Sequence, residues 1–253
     1  MATRDAVRIA AVGDIHVKRT PIDVVQSLFT AMTEAADIAL LCGDLTDYGT
    51  DEETEILAEA IRAKLRIPSL GVLGNHDFES GQPERVSKIL ESAGVVMLDR
   101  GASHEIHGIG FGGAKGFVGG FGRRQLGSWG EASLKALVHE TVEESLRLEQ
   151  SLAKLRTQHK IAVLHYSPIQ ATLEGEPLEI MPFLGSSRLE EPLDRYRVTA
   201  AFHGHAHHGT PEGRTRGNVP VYNVAMAVLK RAFPDRQPFR LVELPVGVES
   251  PVS

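Results

Sequence analysis

Short apolar runs alternate along this chain with longer segments in which apolar residues recur every three or four positions. The runs are typical of buried strands and the longer segments of amphipathic helices, so the pattern predicts an α/β protein. Strands are predicted at 7–12, 37–41, 69–73, 95–98, 105–111, 161–164, 198–202, 219–224 and 239–244. Helices are predicted from Pro21 onward and over 51–64, 83–92 and 131–155.

Polar side chains with metal-binding chemistry follow several of these strands. Asp14, Asp44 and Asn75 come close behind the first three strands, and His165 and His205 follow later ones. A glycine precedes each of them except His165, which gives the backbone freedom where it leaves a strand. Because ligand sites of open α/β sheets form beyond the carboxyl ends of the strands, we expect these residues to meet along one edge.

The metal-type residues form five clusters in the order Asp-x-His, Gly-Asp, Gly-Asn-His-Asp, His and Gly-His-x-His. Their members are Asp14, His16, Asp44, Asn75, His165, His205 and His207, with His76 and Asp77 beside Asn75. This order resembles the signature of the calcineurin-like metallophosphoesterases, which hydrolyse phosphate esters with two metal ions. The resemblance runs from Gly13 to His207.

The resemblance implies a fold and a domain organisation. Members of the family are four-layer α/β/β/α sandwiches of two mixed β-sheets flanked by helices, and the same architecture is expected here. No linker, internal repeat or low-complexity tract interrupts the sequence. Residues 1–253 are therefore predicted to form a single domain of this kind.

The resemblance also implies the metal ligands, with Asp44 as the carboxylate that bridges the two ions. The other implied ligands are Asp14, His16 and His207 at the first site and Asn75, His165 and His205 at the second. This mixture of nitrogen and oxygen favours two divalent or trivalent transition-metal ions such as Mn, Fe or Zn over Mg or Ca. Two ions about 3.5–4 Å apart lower the pKa of a bound water to about 7, and the implied mechanism is in-line attack by a metal-bridging hydroxide.

His76 is not counted among the ligands. In the family, the histidine after the ligating asparagine donates a proton or hydrogen bond to the leaving oxygen, and Asp47 matches the carboxylate that orients it. Another interpretation of Asp47 is a cap of the turn before the helix at 51–64. Asp77 either hydrogen-bonds the backbone beside the site or holds a histidine ligand.

Departures from subfamily patterns narrow the substrate class. Serine/threonine protein phosphatases of this fold carry a phosphate-binding arginine after the second aspartate motif, where this chain has Asp47-Tyr48-Gly49. Purple acid phosphatases have a metal-binding tyrosine at the position of Asp47. The pattern is more similar to small bacterial-type phosphodiesterases, so small phosphodiesters or nucleotide-type substrates are expected. The alternatives are a phosphomonoesterase of the same fold and a regulatory or scaffold member with weak activity.

A Gly-rich segment, 112–130, supplies candidate substrate contacts outside the motifs. It carries Lys115, Arg123 and Arg124. We predict a mobile loop, and one role open to it is to close over the site and offer these cations to a phosphate. A solvated loop without this role is the alternative.

Two further regions lie near the last motif or between the later strands. His203 and His208 flank the Gly-His-x-His cluster. His208 is a candidate substrate contact, and a structural or solvated role is open for both. The segment 170–191 carries several glutamates and is expected to be an inserted loop or cap. Its charge would disfavour a polyanionic substrate lying across it.

Composition and charge restrict the partners. The chain is 42% hydrophobic and 24% charged, and its formal net charge of −6 argues against the broad basic surface that duplex nucleic acid requires. No stretch is long and apolar enough for a membrane span or a signal sequence. The single cysteine, Cys42, ends an apolar run and is expected to be a buried core residue without a disulfide. A cytoplasmic protein acting on a small phosphoester is expected, and its oligomeric state is left open.

Overall fold

The computed structural model describes residues 6–246. Their strands are β1 Ala6–Val12, β2 Ile38–Cys42, β3 Ser69–Val72, β4 Val95–Met97, β5 Ser103–Ile106, β6 Ile109–Ala114, β7 His159–Leu164, β8 Ala200–His203, β9 Glu212–Arg214, β10 Pro220–Asn223 and β11 Arg240–Pro245. The α-helices are α1 Ile22–Ala35, α2 Asp51–Lys64, α3 Pro83–Ser92, α4 Ala132–Lys154, α5 Glu190–Arg195 and α6 Met226–Ala232. No helix among these residues combines the length and hydrophobicity that crossing a bilayer requires.

The strands form two mixed sheets. The first has the order β11-β1-β2-β3-β4, in which β1 to β4 are parallel and β11 runs antiparallel at the edge. The second has the order β5-β6-β7-β8-β10-β9, with parallel inner strands and antiparallel strands at both edges. The expected pair of mixed sheets is thereby confirmed.

Alternation along the strands explains how the two sheets stack. In β1, Ile9 packs into a cluster that also contains Phe111 and Val163 of the second sheet. Its neighbour Ala10 faces the opposite way, into a cluster with Phe29 of α1. Successive side chains of a strand point to opposite faces, so one face meets the other sheet and the other face meets the helices.

Helices cover the outer face of each sheet. The first sheet packs against α1, α2 and α3 through a fully apolar cluster. The second sheet packs against α4, whose Leu148 and Leu152 lie against Ala162 and Leu164 of β7. The result is the four-layer helix, sheet, sheet, helix arrangement that the sequence resemblance implied.

The structure corrects the prediction around residue 112. The strand predicted at 105–111 is a hairpin of β5 and β6, and β6 continues through Ala114. The start of the Gly-rich segment is thus buried sheet, so the prediction of a mobile loop is wrong there. Close packing explains the glycines, since a Cβ on Gly113 would lie 2.8 Å from the Leu98 Cβ.

Candidate metal centre

The candidate ligands come from the carboxyl ends of strands in both sheets. Those of the first sheet follow β1, β2 and β3, and those of the second sheet follow β7 and β8. The structure gathers six of the seven into two adjoining groups, and within each group the ligand atoms lie within 4.8 Å of one another; His16 also belongs to a third such group with Asp47 and His76. The first group is Asp14, His16 and His207; the second is Asp44, His165 and His205.

Backbone conformation at these strand ends is unusual. Asp14, His16, Asp44 and His205 have φ angles of 56°, 46°, 49° and 69°, in the left-handed region. Such conformations cost about 1–3 kcal/mol each in residues other than glycine, and persist where the surroundings fix them. Here the N–H of Asp14 donates to the Gly43 carbonyl at 2.9 Å and that of His16 to the Asp44 carbonyl at 3.0 Å. Four residues with this backbone strain therefore lie where the side chains must converge.

Gly74 permits the close approach of β2 and β3 at the site. A Cβ at this position would lie 2.1 Å from Oδ1 of Asp44 and 2.2 Å from its backbone nitrogen. Real Cβ atoms do not make such contacts, so a larger residue would displace the carboxylate. Gly74 is thus required because no side chain fits at this position. This is a second reason for the glycine, besides the backbone freedom inferred from the sequence.

Asp44 lies between the two groups and presents one oxygen to each. Its Oδ2 is 3.9 Å from Nε2 of His16, and its Oδ1 is 3.4 Å from Nε2 of His165. Nε2 of His165 is also 3.0 Å from Oδ1 of Asn75. In the first group, Nε2 of His207 lies 2.8 Å from Oδ1 of Asp14. Asp44 therefore belongs to the second group and has its other oxygen 3.9 Å from a histidine of the first.

Hydrogen bonds on the far side of two histidines select the nitrogen that faces the site. Nδ1 of His165 donates to the Cys42 carbonyl at 3.0 Å, which turns Nε2 toward Asp44. Nε2 of His205 donates to the Phe183 carbonyl at 3.2 Å, which leaves Nδ1 for the cluster. Because a carbonyl can only accept, each contact requires a proton on that nitrogen, and when the ring is neutral the other nitrogen carries the lone pair that can bind a metal.

Both buried aspartates carry negative charge. Burial by itself would raise the pKa of Asp44, but His165 beside it holds the pKa well below its usual range. Burial also opposes ionisation of Asp14, and the hydrogen bond from His207 together with the charges of the neighbouring histidines outweighs it, so this pKa is lowered too. Two ionised carboxylates in a buried cluster strongly favour cations beside them.

The histidines respond to that charge in opposite ways. Burial would lower the pKa of His165, but the charge of Asp44 raises it to about 9. The pKa of His207 rises because of its hydrogen bond to Asp14. Burial lowers the pKa of His16, and it lowers that of His205 to about 3. His16 and His205 are therefore neutral imidazoles at neutral pH, the form that binds metals.

The residues present fit metal ions. Both ring nitrogens of His16 are buried and have no hydrogen-bond partner among residues 6–246, although two ionised carboxylates lie nearby. A buried ring nitrogen without a hydrogen-bond partner destabilises the folded protein unless a ligand binds it. Imidazole nitrogen, carboxylate and amide oxygen together form a donor set suited to transition metals.

His76 lies beside the first group. Its ring centroid is 4.8 Å from that of His16, and its Nδ1 donates to the backbone carbonyl of Asp47 at 2.8 Å. Asp47 thus contacts His76 through its backbone carbonyl, whereas the predicted contact was through its carboxylate. The carboxylate of Asp47 instead lies 3.4 Å from Nδ1 of His16. Helix α2 itself is capped by Thr50 and Glu53, so Asp47 is not the cap of that helix.

Asp77 holds the backbone of the site. Its fully buried carboxylate accepts the N–H groups of Gly74, Leu45 and Thr46 at 2.8, 3.2 and 2.9 Å, and the Thr46 hydroxyl at 2.6 Å. Burial and the nearby charge of Asp44 raise its pKa to about 6. Of the two roles considered from sequence, the backbone contact is the one observed.

The flanking histidines differ in environment. His203 is buried, and its two ring nitrogens contact the Gly204 carbonyl at 2.7 Å and the Thr172 hydroxyl at 2.9 Å. Burial lowers its pKa to about 4, as expected of a structural histidine. His208 is exposed, and its backbone N–H donates to Glu176 at 2.7 Å. Glu176 of the acidic segment therefore contacts the residue directly after the last motif.

The cations of the Gly-rich segment are placed differently from one another. Arg123 and Arg124 are exposed on a single 3-10 turn, Gly122–Arg124. Lys115 is buried, donates to the Gly116 carbonyl at 2.9 Å, and lies 4.6 Å from the Phe117 ring centroid. Lys115 is thus packed inside the protein, and its interpretation as a cation of a mobile loop is wrong.

Arg19 is a residue near the site that the sequence did not indicate. It lies between β1 and α1, and its Nη2 is 2.7 Å from Oδ1 of Asp47. No motif spacing identifies it, because the contact depends on how the loop after His16 turns back toward Asp47.

Residues 7–209 match the sequence model of the calcineurin-like phosphoesterases, and the chain belongs to that family. The protein is accordingly a metal-dependent phosphoesterase. A curated relative, described as a probable glycerophosphodiester phosphodiesterase GpdQ from Arcobacter nitrofigilis, is 22% identical over 224 residues. That alignment covers 79% of this chain and 71% of the relative.

Solved structures share the fold at low sequence identity. The phosphopantetheinyl hydrolase PptH of Mycobacterium tuberculosis superimposes with a TM-score of 0.68 at 14% identity, covering 92% of this chain and 95% of that one. The protein TT1561 of Thermus thermophilus superimposes with a TM-score of 0.58 at 16% identity, covering 96% of this chain and 100% of that one. At these identities the likeness concerns the fold alone.

Proposed function

We propose that this protein hydrolyses small phosphodiesters or nucleotide-type esters with two transition-metal ions bound at the cluster. The observation that carries the proposal is the position of Asp44, whose two oxygens face His16 on one side and His165 on the other. A shared carboxylate of this kind allows two cations to lie close together. The first group and the second group would each hold one ion, with Asn75 added to the second.

The bound ions would neutralise phosphoryl oxygens and supply a nucleophile from water at neutral pH. The protein itself would supply the proton for the leaving oxygen. We assign this role to His76, because the Asp47 carbonyl holds its Nδ1 proton and leaves Nε2 directed away from that contact. After Nε2 gives up its proton, the ring is a neutral imidazole that keeps the Nδ1 hydrogen bond.

Two observations support a diester substrate. The relative from Arcobacter nitrofigilis is described as a probable glycerophosphodiester phosphodiesterase. The position after Asp47 is Tyr48, so the chain lacks the phosphate-binding arginine of the protein phosphatases at that point. Monoesters are the second candidate substrate class, and kinetics on matched aryl esters separate the two.

The proposal is tested by removing metals with a chelator and restoring them singly. Mn, Fe or Zn should restore hydrolysis better than Ca, and bis(p-nitrophenyl) phosphate, glycerophosphodiesters and cyclic nucleotides should exceed p-nitrophenyl phosphate in kcat/KM. Metal analysis should give two ions per chain. Asp44→Asn should lose both ions and most of the activity, whereas Asp23→Asn on the exposed side of α1 should lose neither. Full activity without metal, or one ion per chain at saturation, would contradict the dinuclear proposal.

A further inference from the structure

The loop between β1 and α1 places an arginine at the edge of the candidate metal centre. Nη2 of Arg19 is 2.7 Å from Oδ1 of Asp47, and the same oxygen is 3.4 Å from Nδ1 of His16. A single carboxylate therefore separates the guanidinium from a candidate metal ligand. His76 also lies beside His16, at 4.8 Å between ring centroids.

The contact of Arg19 with Asp47 leaves the guanidinium able to bind a further anion. It has the distance of an ion pair but lacks hydrogen-bond alignment, since Oδ1 of Asp47 has no hydrogen-bond partner within residues 6–246. A guanidinium carries five N–H donors in a planar fork. The side chain of Arg19 is 56% exposed while that of Asp47 is 8% exposed. The guanidinium is therefore accessible to solvent while it contacts a buried carboxylate.

The neighbouring cation shows that this placement is specific. Lys18 is equally exposed, at 55%, but its Nζ lies 3.9 Å from Glu53 at the start of α2. Glu53 belongs to the cap of that helix and is not part of the cluster. Of these two adjacent cations, Arg19 is the one that contacts Asp47.

We infer that Arg19 binds the phosphate group of the substrate, with Asp47 holding the guanidinium beside the cluster. A planar fork of donors matches two phosphate oxygens, which a point charge such as lysine does less well. His76 is assigned to the leaving oxygen, so the oxygens left for Arg19 are the non-bridging ones. The inference rests on the proposed function, and it names the residue that recognises the charge of the ester.

Substrate charge determines how much Arg19 contributes to binding. A monoester is close to dianionic at neutral pH, whereas a diester carries one negative charge, and the attraction to a fixed cation grows with that charge. Arg19 should therefore contribute more to monoester binding than to diester binding. This residue would extend the range of substrates toward monoesters.

The test compares Arg19→Met, Arg19→Lys and the matched control Lys18→Met in metal-loaded protein. Calorimetric titration with inorganic phosphate should show about 10–100-fold weaker binding for Arg19→Met, the loss expected for charged hydrogen bonds. Arg19→Lys should be intermediate and Lys18→Met unchanged. In kinetics, Arg19→Met should raise KM more for p-nitrophenyl phosphate than for bis(p-nitrophenyl) phosphate, with little change in kcat.

Two results would overturn the inference. The first is equal phosphate affinity in Arg19→Met and Lys18→Met. The second is a fall in kcat with unchanged phosphate affinity, which would make Arg19 a residue that only positions Asp47. If the wild-type protein hydrolyses neither ester, the proposed function fails, while the phosphate titrations still decide the role of Arg19.

Discussion

Asp77 accepts two hydrogen bonds from Thr46, from its N–H at 2.9 Å and from its hydroxyl at 2.6 Å. The same carboxylate accepts the N–H of Gly74 at 2.8 Å. It therefore fastens the loop after β2 to the loop after β3, and these loops carry Asp44 and Asn75. Asp77 is outside both groups of candidate ligands, yet it fixes the spacing of two of them.

Asp77→Asn should weaken metal binding without removing a ligand. The amide would turn an NH₂ toward N–H donors, and a buried donor left without an acceptor costs about 1–3 kcal/mol. Loss of a group that supports a ligand typically reduces metal affinity about 10–100-fold. Competition with a chromogenic chelator measures the affinity. Asp51→Asn, an exposed carboxyl on α2, serves as control, and equal affinities in the two variants would contradict the role.

Gly74→Ala should abolish metal binding at the shared carboxylate. The new Cβ would lie 2.1 Å from Oδ1 of Asp44, so either the carboxylate or the β3 loop must move. Gly127→Ala is the matched control, because a Cβ there meets only a Trp129 side-chain atom at 3.7 Å. Metal content by elemental analysis distinguishes them. A Gly74→Ala protein with two ions per chain would show that the loop relaxes freely.

His76→Ala should impair hydrolysis of esters with poor leaving groups more than that of activated aryl esters. General acid catalysis is typically worth about 10²–10⁴ in rate, and p-nitrophenolate needs little protonation. The measurement is kcat for an alkyl phosphodiester against kcat for bis(p-nitrophenyl) phosphate, with His139→Ala on the exposed face of α4 as control. Metal content should stay at the wild-type value. Equal losses on both esters would point to phosphate binding instead of proton donation.

Asp99→Asn should stabilise the protein increasingly as pH rises. Burial raises the pKa of Asp99 to about 7, from an ordinary value of 3.8. Between these values the unfolded chain has lost the proton and the folded protein retains it, so wild-type stability falls as pH rises through this window. Asparagine keeps an acceptor for the Leu73 N–H, which Asp99 accepts at 3.1 Å, and does not titrate.

The melting temperature of Asp99→Asn should therefore exceed that of the wild type by more at about pH 8 than at about pH 5. The first pH lies above the window and the second near its lower end. Glu59→Gln on the exposed side of α2 should show a small difference at both values. A gain for Asp99→Asn that is the same at both pH values would mean that the benefit comes from packing and not from the titration of the carboxyl.

The sequence was most informative at the strand ends. Asp14, Asp44 and Asn75 could be placed together because parallel strands deliver the residues behind them to one edge, whatever their separation in the chain. Apolar periodicity likewise predicted α2 and α3 with the bounds that the structure has. These features depend on local pattern and on the direction of the strands.

Features that depend on contact between distant segments were not predictable. The continuation of β6 through Ala114 was missed because its glycines resemble a loop, and packing of Gly113 against Leu98 shows why one of them is needed. β9 and α5 are too short to give a clear period. Arg19 and the carbonyl of Asp47 were missed because backbone turns, which no spacing encodes, bring them to the edge of the site.

The candidate metal centre also bears on the stability of the fold, because its ligands are divided between the two sheets. One sheet contributes aspartates, an asparagine and a histidine, and the other contributes histidines alone. A bound ion would therefore cross-link the two sheets. A ligand that binds only the folded state stabilises it by about 4 kcal/mol at a thousand times its Kd. Scarcity of transition metals should therefore make the chain more prone to unfolding and proteolysis, and its abundance in the cell should follow the metal supply.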